Sequence, residues 1–165
     1  MVANRNPAPQ AGKYARYELE RRWLLERLPD GADAGSLIVD KYIDGTSLRL
    51  RRIEGDPPQY KFTQKETPAP PDYAKTTITN IYLTPDEYEL LGVLPGRELR
   101  KRRHHVGRYA IDVFGGELEG LILAETEFHS EDEMREHPIP DFALRDVSDD
   151  VRYTGGWLAE NGVPS

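Results

Sequence analysis

Cysteine is absent from this chain of 165 residues, which excludes disulfides and thiolate metal sites and makes a cytoplasmic protein the default expectation. No run of about 18 apolar residues occurs, so no membrane span is expected. Residues 1–13, rich in Pro, Ala and Asn, lack the apolar stretch of a secretion signal and read as a flexible N-terminal tail. Positive charge is scarce: 22 Lys and Arg against 29 Asp and Glu leave a net charge of −7. Nucleic acid demands a dominant basic surface, so general nucleic-acid binding is not expected, although a concentrated basic pocket is compatible with this balance. Residues 14–165 are long enough to bury a core and read as one domain.

What is present is a series of short strands. Tyr17 to Leu25 alternates Leu19, Arg21, Trp23 and Leu25 against Glu18, Glu20, Arg22 and Leu24. After the Pro29-Asp30-Gly31 loop, Ser36 to Ile43 reads as a second strand, and Asp44-Gly45 signals a hairpin into Ser47 to Ile53. Further strands are read at Tyr60 to Lys65, Thr76 to Leu83, Leu99 to Val106, Arg108 to Phe114 and Leu121 to Phe128. Thr84-Pro85-Asp86-Glu87 carries a capping box with proline at the first helical position, so a helix is expected to about Leu91. Ser130 with Glu133 forms a second box, opening a short helix that Pro138 stops. Ser148 is placed to cap a helical piece, and Thr154 to Asn161 predicts another. About eight short strands with few helices indicate a mainly β protein, closed or nearly closed and antiparallel.

The polar faces of these strands are segregated by sign. Basic residues recur at i, i+2 in Arg49 and Arg51, in Lys61 and Lys65 around Thr63, and in Lys101 and Arg103. Carboxylates do so in Glu18 and Glu20 and in Glu125 and Glu127, while Asp112 stands alone among Ile111, Val113 and Phe114. Residues two apart on a strand point the same way, roughly 6.5–7 Å apart. Two cations at that spacing can hold neighbouring phosphate groups, and two carboxylates can share a divalent ion with phosphate oxygens and water. For any one strand a solvated polar face is the ordinary explanation. Segregation into same-sign pairs favours an anionic ligand with a metal cation, because a plain surface intersperses its signs. Periodicity alone does not say whether these faces point outward or into a shared interior.

Glu18-Leu19-Glu20-Arg21-Arg22 resembles the opening ExExK signature of the CYTH domain family, the triphosphate tunnel metalloenzymes. Leu48-Arg49-Leu50-Arg51, Phe62-Thr63-Gln64-Lys65 and Leu99-Arg100-Lys101-Arg102-Arg103 resemble its basic strands. Ile111 to Gly116, with Leu118, Gly120 and Leu121 and then Ala124-Glu125-Thr126-Glu127-Phe128, is the most specific stretch; the likeness runs from Tyr17 to about Tyr153. The resemblance implies a closed eight-stranded antiparallel β-barrel with a charged interior, flanked by a few helices. It implies a small-molecule triphosphate substrate and Mg²⁺ or Mn²⁺ as cofactor. Carried over by position, Arg49, Arg51, Lys65, Lys101 and Arg103 would grip phosphates, with Arg22 as a further clamp. Glu18, Glu20, Glu125 and Glu127 would bind metal, with Asp112 supporting a metal, a cation or water; Glu18, Glu20, Arg22, Glu125 and Glu127 form the expected catalytic set. Lys61 lies outside the family pattern but on the face of Lys65.

Two departures stand out. The lysine of the opening motif is Arg22, which stays protonated and makes a poor base. The acidic pair many members carry before the central helix is replaced by Thr76-Thr77-Ile78-Thr79-Asn80. A metal-dependent triphosphatase is the leading expectation. A class IV-type adenylate cyclase and a non-catalytic polyphosphate- or nucleotide-binding module are the alternatives. His104 and His105 point to opposite faces as strand neighbours and do not suggest a joint metal site, and Trp23 and Trp157 read as packing anchors. A homodimer is compatible with the sequence, which specifies no partner.

Overall fold

The computed structural model describes residues 12–165; residues 1–11, most of the expected tail, lie outside the described residues. Eight described strands close on themselves: β1 (Arg16–Leu25), β2 (Ser36–Ile43), β3 (Leu48–Ile53), β4 (Gln59–Glu66), β5 (Lys75–Leu83), β6 (Gly96–Val106), β7 (Tyr109–Gly115) and β8 (Ile122–Phe128). Around the barrel the order is β5-β4-β3-β2-β6-β7-β8-β1, and β1 pairs back to β5, every ladder antiparallel. The structure is thus the closed eight-stranded antiparallel barrel with few helices. The Asp44-Gly45 hairpin is present, and Gly45 has φ 71°, a conformation that favours glycine.

The closing seam is divided. The N-terminal part of β1 pairs Arg16 with Ile78 and Leu19 with Lys75. Farther along, that edge of β1 is taken by β9 (Arg145–Asp146), which pairs with Leu24 and Trp23. Leu144 N–H donates to Leu24 O and Val147 N–H to Arg22 O, extending the strap. The strand expectations omit this piece, because two residues carry no readable alternation and its partner is more than a hundred residues away.

Two apolar clusters hold the barrel. Outside β1, β7 and β8, Leu19, Trp23, Leu25, Ile111, Ala124 and Phe128 pack with Met134 of α2 (Glu131–Glu136). Trp23 is fully buried, edge-on to Tyr109 at 5.8 Å, as a packing anchor should be. Truncating such an aromatic typically costs about 3–5 kcal/mol. The second cluster fills one end of the interior: Leu99, Phe114 and Leu123 from inward strand faces meet Leu118, Tyr153 and Leu158, with Trp157 packed against them. Leu158 and Trp157 come from α3 (Gly155–Asn161), which caps that end. Tyr42 reaches across from β2, and a methyl group on Gly155 would overlap its hydroxyl and force the ring to move.

The helix ends follow local chemistry. In α1 (Pro85–Leu91) both capping-box bonds form, Glu87 N–H to Thr84 Oγ1 at 3.2 Å and Thr84 N–H to Glu87 Oε2 at 2.8 Å. Tyr88 of α1 packs on Tyr60 of β4, ring centroids 4.7 Å apart. At α2 only half of the expected box forms. Ser130 Oγ accepts from Glu133 N–H, but the Glu133 carboxylate takes the N–H of His129 instead. Ser148 does not cap a helix. Its hydroxyl accepts from Arg22 N–H and donates to Asp146, because the strap draws it against β1, and Asp150 caps the following 3₁₀ turn. No described helix is long and apolar enough to cross a membrane.

Candidate functional site: a charged barrel interior

Closure of the barrel turns the segregated faces inward. Glu18, Glu20 and Arg22 of β1 and Glu125 and Glu127 of β8 line one wall of a cavity of about 430 Å³. Arg49 and Arg51 of β3, Lys61 and Lys65 of β4, and Lys101 and Arg103 of β6 line the rest, with Arg16 beside them. Ten of the expected site residues therefore share one cavity. The eleventh, Asp112, stands in its wall on β7 with no exposure. On β5 the inward positions are Thr76, Ile78 and Asn80, so that strand supplies no acid to the cavity.

Eight basic side chains face four glutamates across this space. With fully buried Asp40 and Asp112 added, the site holds two positive charges in excess, inside a chain whose net charge is −7. Such a site attracts anions while the remaining surface repels them.

Each acidic group has a distinct setting. Asp112 accepts from Lys101 Nζ at 2.6 Å and from Arg103 Nε and Nη2, both at 2.7 Å. Burial would raise this carboxyl, but Lys101 and Arg103 outweigh it and hold it below its ordinary value. Of the roles expected for Asp112, holding cations is the one its bonds perform. Lys101 in turn is lowered, burial and Arg103 outweighing the attraction of Asp112. Glu125 accepts from Arg22 Nε at 2.9 Å and Arg103 Nη2 at 2.8 Å. Against its burial these guanidiniums keep it well below the usual carboxylate range. Arg22 also donates to Glu20 at 2.8 Å, and despite burial both glutamates raise it far above its ordinary value. Arg22 is therefore a permanently charged clamp between β1 and β8.

Glu18 and Glu127 differ from these. Burial first, and then the adjacent Glu18 carboxylate, push Glu127 above the usual range. Glu18 itself is lowered, since Lys65 and Glu127 outweigh its burial. Its Oε2 is buried without a hydrogen bond, the Lys65 ammonium lying 3.3 Å away. Among the described residues no three His, Asp or Glu side chains converge into a preformed metal cage. Two adjacent carboxylates, of which Glu127 is exposed, nevertheless fit a hard divalent cation, which takes one or two protein carboxylates and completes its shell with water and phosphate oxygens. Glu18 and Glu127, with Glu20 nearby, are the residues able to hold one; Glu125 is committed to two arginines.

Sequence reasoning missed Asp40. It lies on β2 with no exposure and accepts from Arg51 Nε at 2.6 Å and Nη2 at 2.7 Å, with Arg49 Nε at 3.9 Å. The available signal was an acid inside a strand of Ile, Val and Tyr, on the face of Tyr42. His104 and His105 both contact the loop residue Asp33, through its carbonyl at 2.8 Å and its carboxylate at 3.2 Å, and tie that loop to β6.

A closed antiparallel barrel whose interior is lined by opposed cations and carboxylates matches the triphosphate tunnel fold. No family model matches the chain. The chain is similar to an inorganic triphosphatase of Nitrosomonas europaea, 29% identical over 153 residues, covering 86% of this chain and 96% of that protein. Among solved structures, the crystal structure of the inorganic triphosphatase NE1496 matches with a TM-score of 0.59 and 28% identity, over 90% of this chain and 97% of that one. A second crystal structure, described as the hypothetical protein NE1496, matches with the same TM-score and identity over 89% and 99%.

Proposed function

We propose that the protein is a divalent-metal-dependent hydrolase of a short triphosphate, inorganic tripolyphosphate or a small organic triphosphate, built on a CYTH-type tunnel. The observation that carries this reading is the positively charged cavity, with paired cations on β3 and β6 facing paired glutamates on β1 and β8. The similarity to an inorganic triphosphatase supports it.

Phosphoryl transfer asks for positioning and charge neutralisation more than for covalent help. In this reading Arg49, Arg51, Lys65, Lys101 and Arg103 bind and orient the phosphate chain. Asp112 keeps Lys101 and Arg103 at fixed positions. Glu18 and Glu127, with Glu20, would hold Mg²⁺ or Mn²⁺. Such an ion supplies neutralisation of phosphate charge and a lowered pKa for water. Glu125 holds Arg22 and Arg103 together, so that their guanidiniums reach the substrate as one unit. Arg22, kept charged by Glu20 and Glu125, binds phosphate and takes no proton from water.

The decisive experiment is phosphate release from tripolyphosphate, ATP and thiamine triphosphate with Mg²⁺ or Mn²⁺, alongside Glu125→Gln. Metal-dependent release that the variant loses supports the hydrolase, and the best substrate names it. The fixed, charged Arg22 favours one second reading, a polyphosphate-binding module without turnover. Intact tripolyphosphate that raises the melting temperature without release under either metal would establish it. Formation of cyclic AMP and pyrophosphate from ATP would instead mark a cyclase.

A further inference from the structure

Two basic strands of the barrel are each backed by one aspartate of zero exposure. Asp112 on β7 engages Lys101 and Arg103 of β6. Asp40 on β2 sits opposite Arg51 of β3 in the ladder, and nothing in the sequence pattern assigns it a role. Its two carboxylate oxygens take the Nε and Nη2 hydrogens of Arg51 in a fork at 2.6 and 2.7 Å. A guanidinium has five N–H donors in a rigid plane, so a fork on one edge fixes where the opposite edge points. No described residue accepts from Nη1 of Arg51, and Arg51 lines the cavity. Arg49, two residues away, lies with its Nε 3.9 Å from the same carboxylate.

We propose that Asp40 is a positioning residue for phosphate recognition. By gripping the Nε edge of Arg51, it turns the free Nη1 edge of that guanidinium into the cavity as a preorganised anion donor, beside Arg49, whose own Nη2 is held by Thr63 Oγ1 at 3.3 Å. This rests on the reading of the cavity as a triphosphate site. The alternative role for a buried aspartate is to lower the positive charge of the cavity, and the two roles predict opposite signs. Replacing Asp40 with neutral, isosteric Asn raises the positive excess, which by Coulomb attraction alone tightens an anion. It also breaks the fork, which loosens a receptor that depends on aim.

The test is Asp40→Asn, with tripolyphosphate affinity measured by calorimetry and turnover measured with Mg²⁺. Positioning predicts affinity weaker by about tenfold to a hundredfold, the range of one lost charge-assisted hydrogen bond. It predicts KM rising by a similar factor with kcat within about threefold, because Arg51 holds the bound and reacting phosphates alike. Arg51→Lys cannot form the fork, so Asp40→Asn added to it should have less than about threefold further effect. Equal or tighter binding by Asp40→Asn, or fully additive losses in the double variant, overturns the proposal while leaving the triphosphate reading intact. Wild-type protein that neither binds nor hydrolyses tripolyphosphate overturns both. Should Asp40→Asn fail to fold, side-chain NMR of the wild type decides. An Arg51 Nε–H resonance, assigned by its loss in Arg51→Lys, should be protected from solvent exchange before tripolyphosphate is added and stay in place afterwards. Rapid exchange in the free protein would overturn the fork.

Discussion

The barrel wall and cavity hold two kinds of carboxylate. Asp40 and Asp112 have no exposure, and each engages cations through both oxygens. Buried Glu18 and exposed Glu127 line the same cavity and press on one another; Glu18 is paired with Arg16 and Lys65, each at 3.3 Å, and lowered in pKa, while Glu127 is raised. A saturated acid stabilises the empty protein and aims its partners. Glu127, raised because nothing matches its charge, is the one that gains by taking up a proton. The difference separates carboxylates matched by buried cations from one whose charge is not matched.

The largest effect should come from Glu125→Gln, whose carboxylate joins Arg22 to Arg103. Phosphate release should fall by at least about a hundredfold, as for loss of a preorganised electrostatic group, while the melting temperature shows that the fold survives. Next comes Asp112→Asn. Removing a buried acid from two cations should cost about 3–5 kcal/mol in urea unfolding of the unliganded protein. If the comparison holds, Glu127→Gln does the reverse. The unliganded protein should keep or slightly gain stability, while Mg²⁺-dependent tripolyphosphate binding weakens about tenfold. A large loss of stability from Glu127→Gln would break the distinction.

The same contrast predicts a pH profile. Glu127 is raised in the folded state, so the native protein binds the extra proton, and stability should rise as pH falls from neutrality toward the ordinary glutamate value of 4.5. Asp40 and Asp112 are lowered because arginine and lysine outweigh their burial; their contribution is present above the ordinary aspartate value of 3.8 and is lost as pH falls below it. Thermal unfolding across this range should show a modest maximum on the acid side, and Glu127→Gln should remove the rise but not the fall. The smallest effect is expected at Lys61, which is lowered by its own burial and by Arg51, Arg49 and Arg103 nearby, with no described carboxylate paired to it. Lys61→Met should leave unliganded stability equal or a few tenths of a kcal/mol higher and weaken tripolyphosphate binding only a few-fold, as read by calorimetry.

Much of the barrel was legible because its information is local. Alternation, β-branched and aromatic content and turn residues marked all eight barrel strands, with ends differing by a few residues, and Thr84 with Glu87 marked α1 through contacts three residues apart. The sign-segregated pairs marked ten cavity-lining residues, since neighbours at i, i+2 share a face whatever the fold. Pairing without local pattern stayed hidden. β9 is ordered by hydrogen bonds to Arg22 and Leu24 from the far end of the chain, and Ser148 is taken from its expected cap by the same strap. Asp40 reads as an isolated acid until β3 is laid beside it and Arg51 appears opposite.

Residue types and their spacing thus determined, without help, the strands, the two capped helix starts and the faces on which charge is gathered. The direction those faces point was decided by tertiary structure alone. Strand alternation is the same for a face turned to solvent and one turned to an interior, and only the β1–β5 closure encloses these charges. Enclosure lowers the dielectric and brings distant strands within hydrogen-bonding reach. That is why Asp40 and Asp112 became anchors, Arg22 a fixed clamp, and Glu18 and Glu127 a crowded pair.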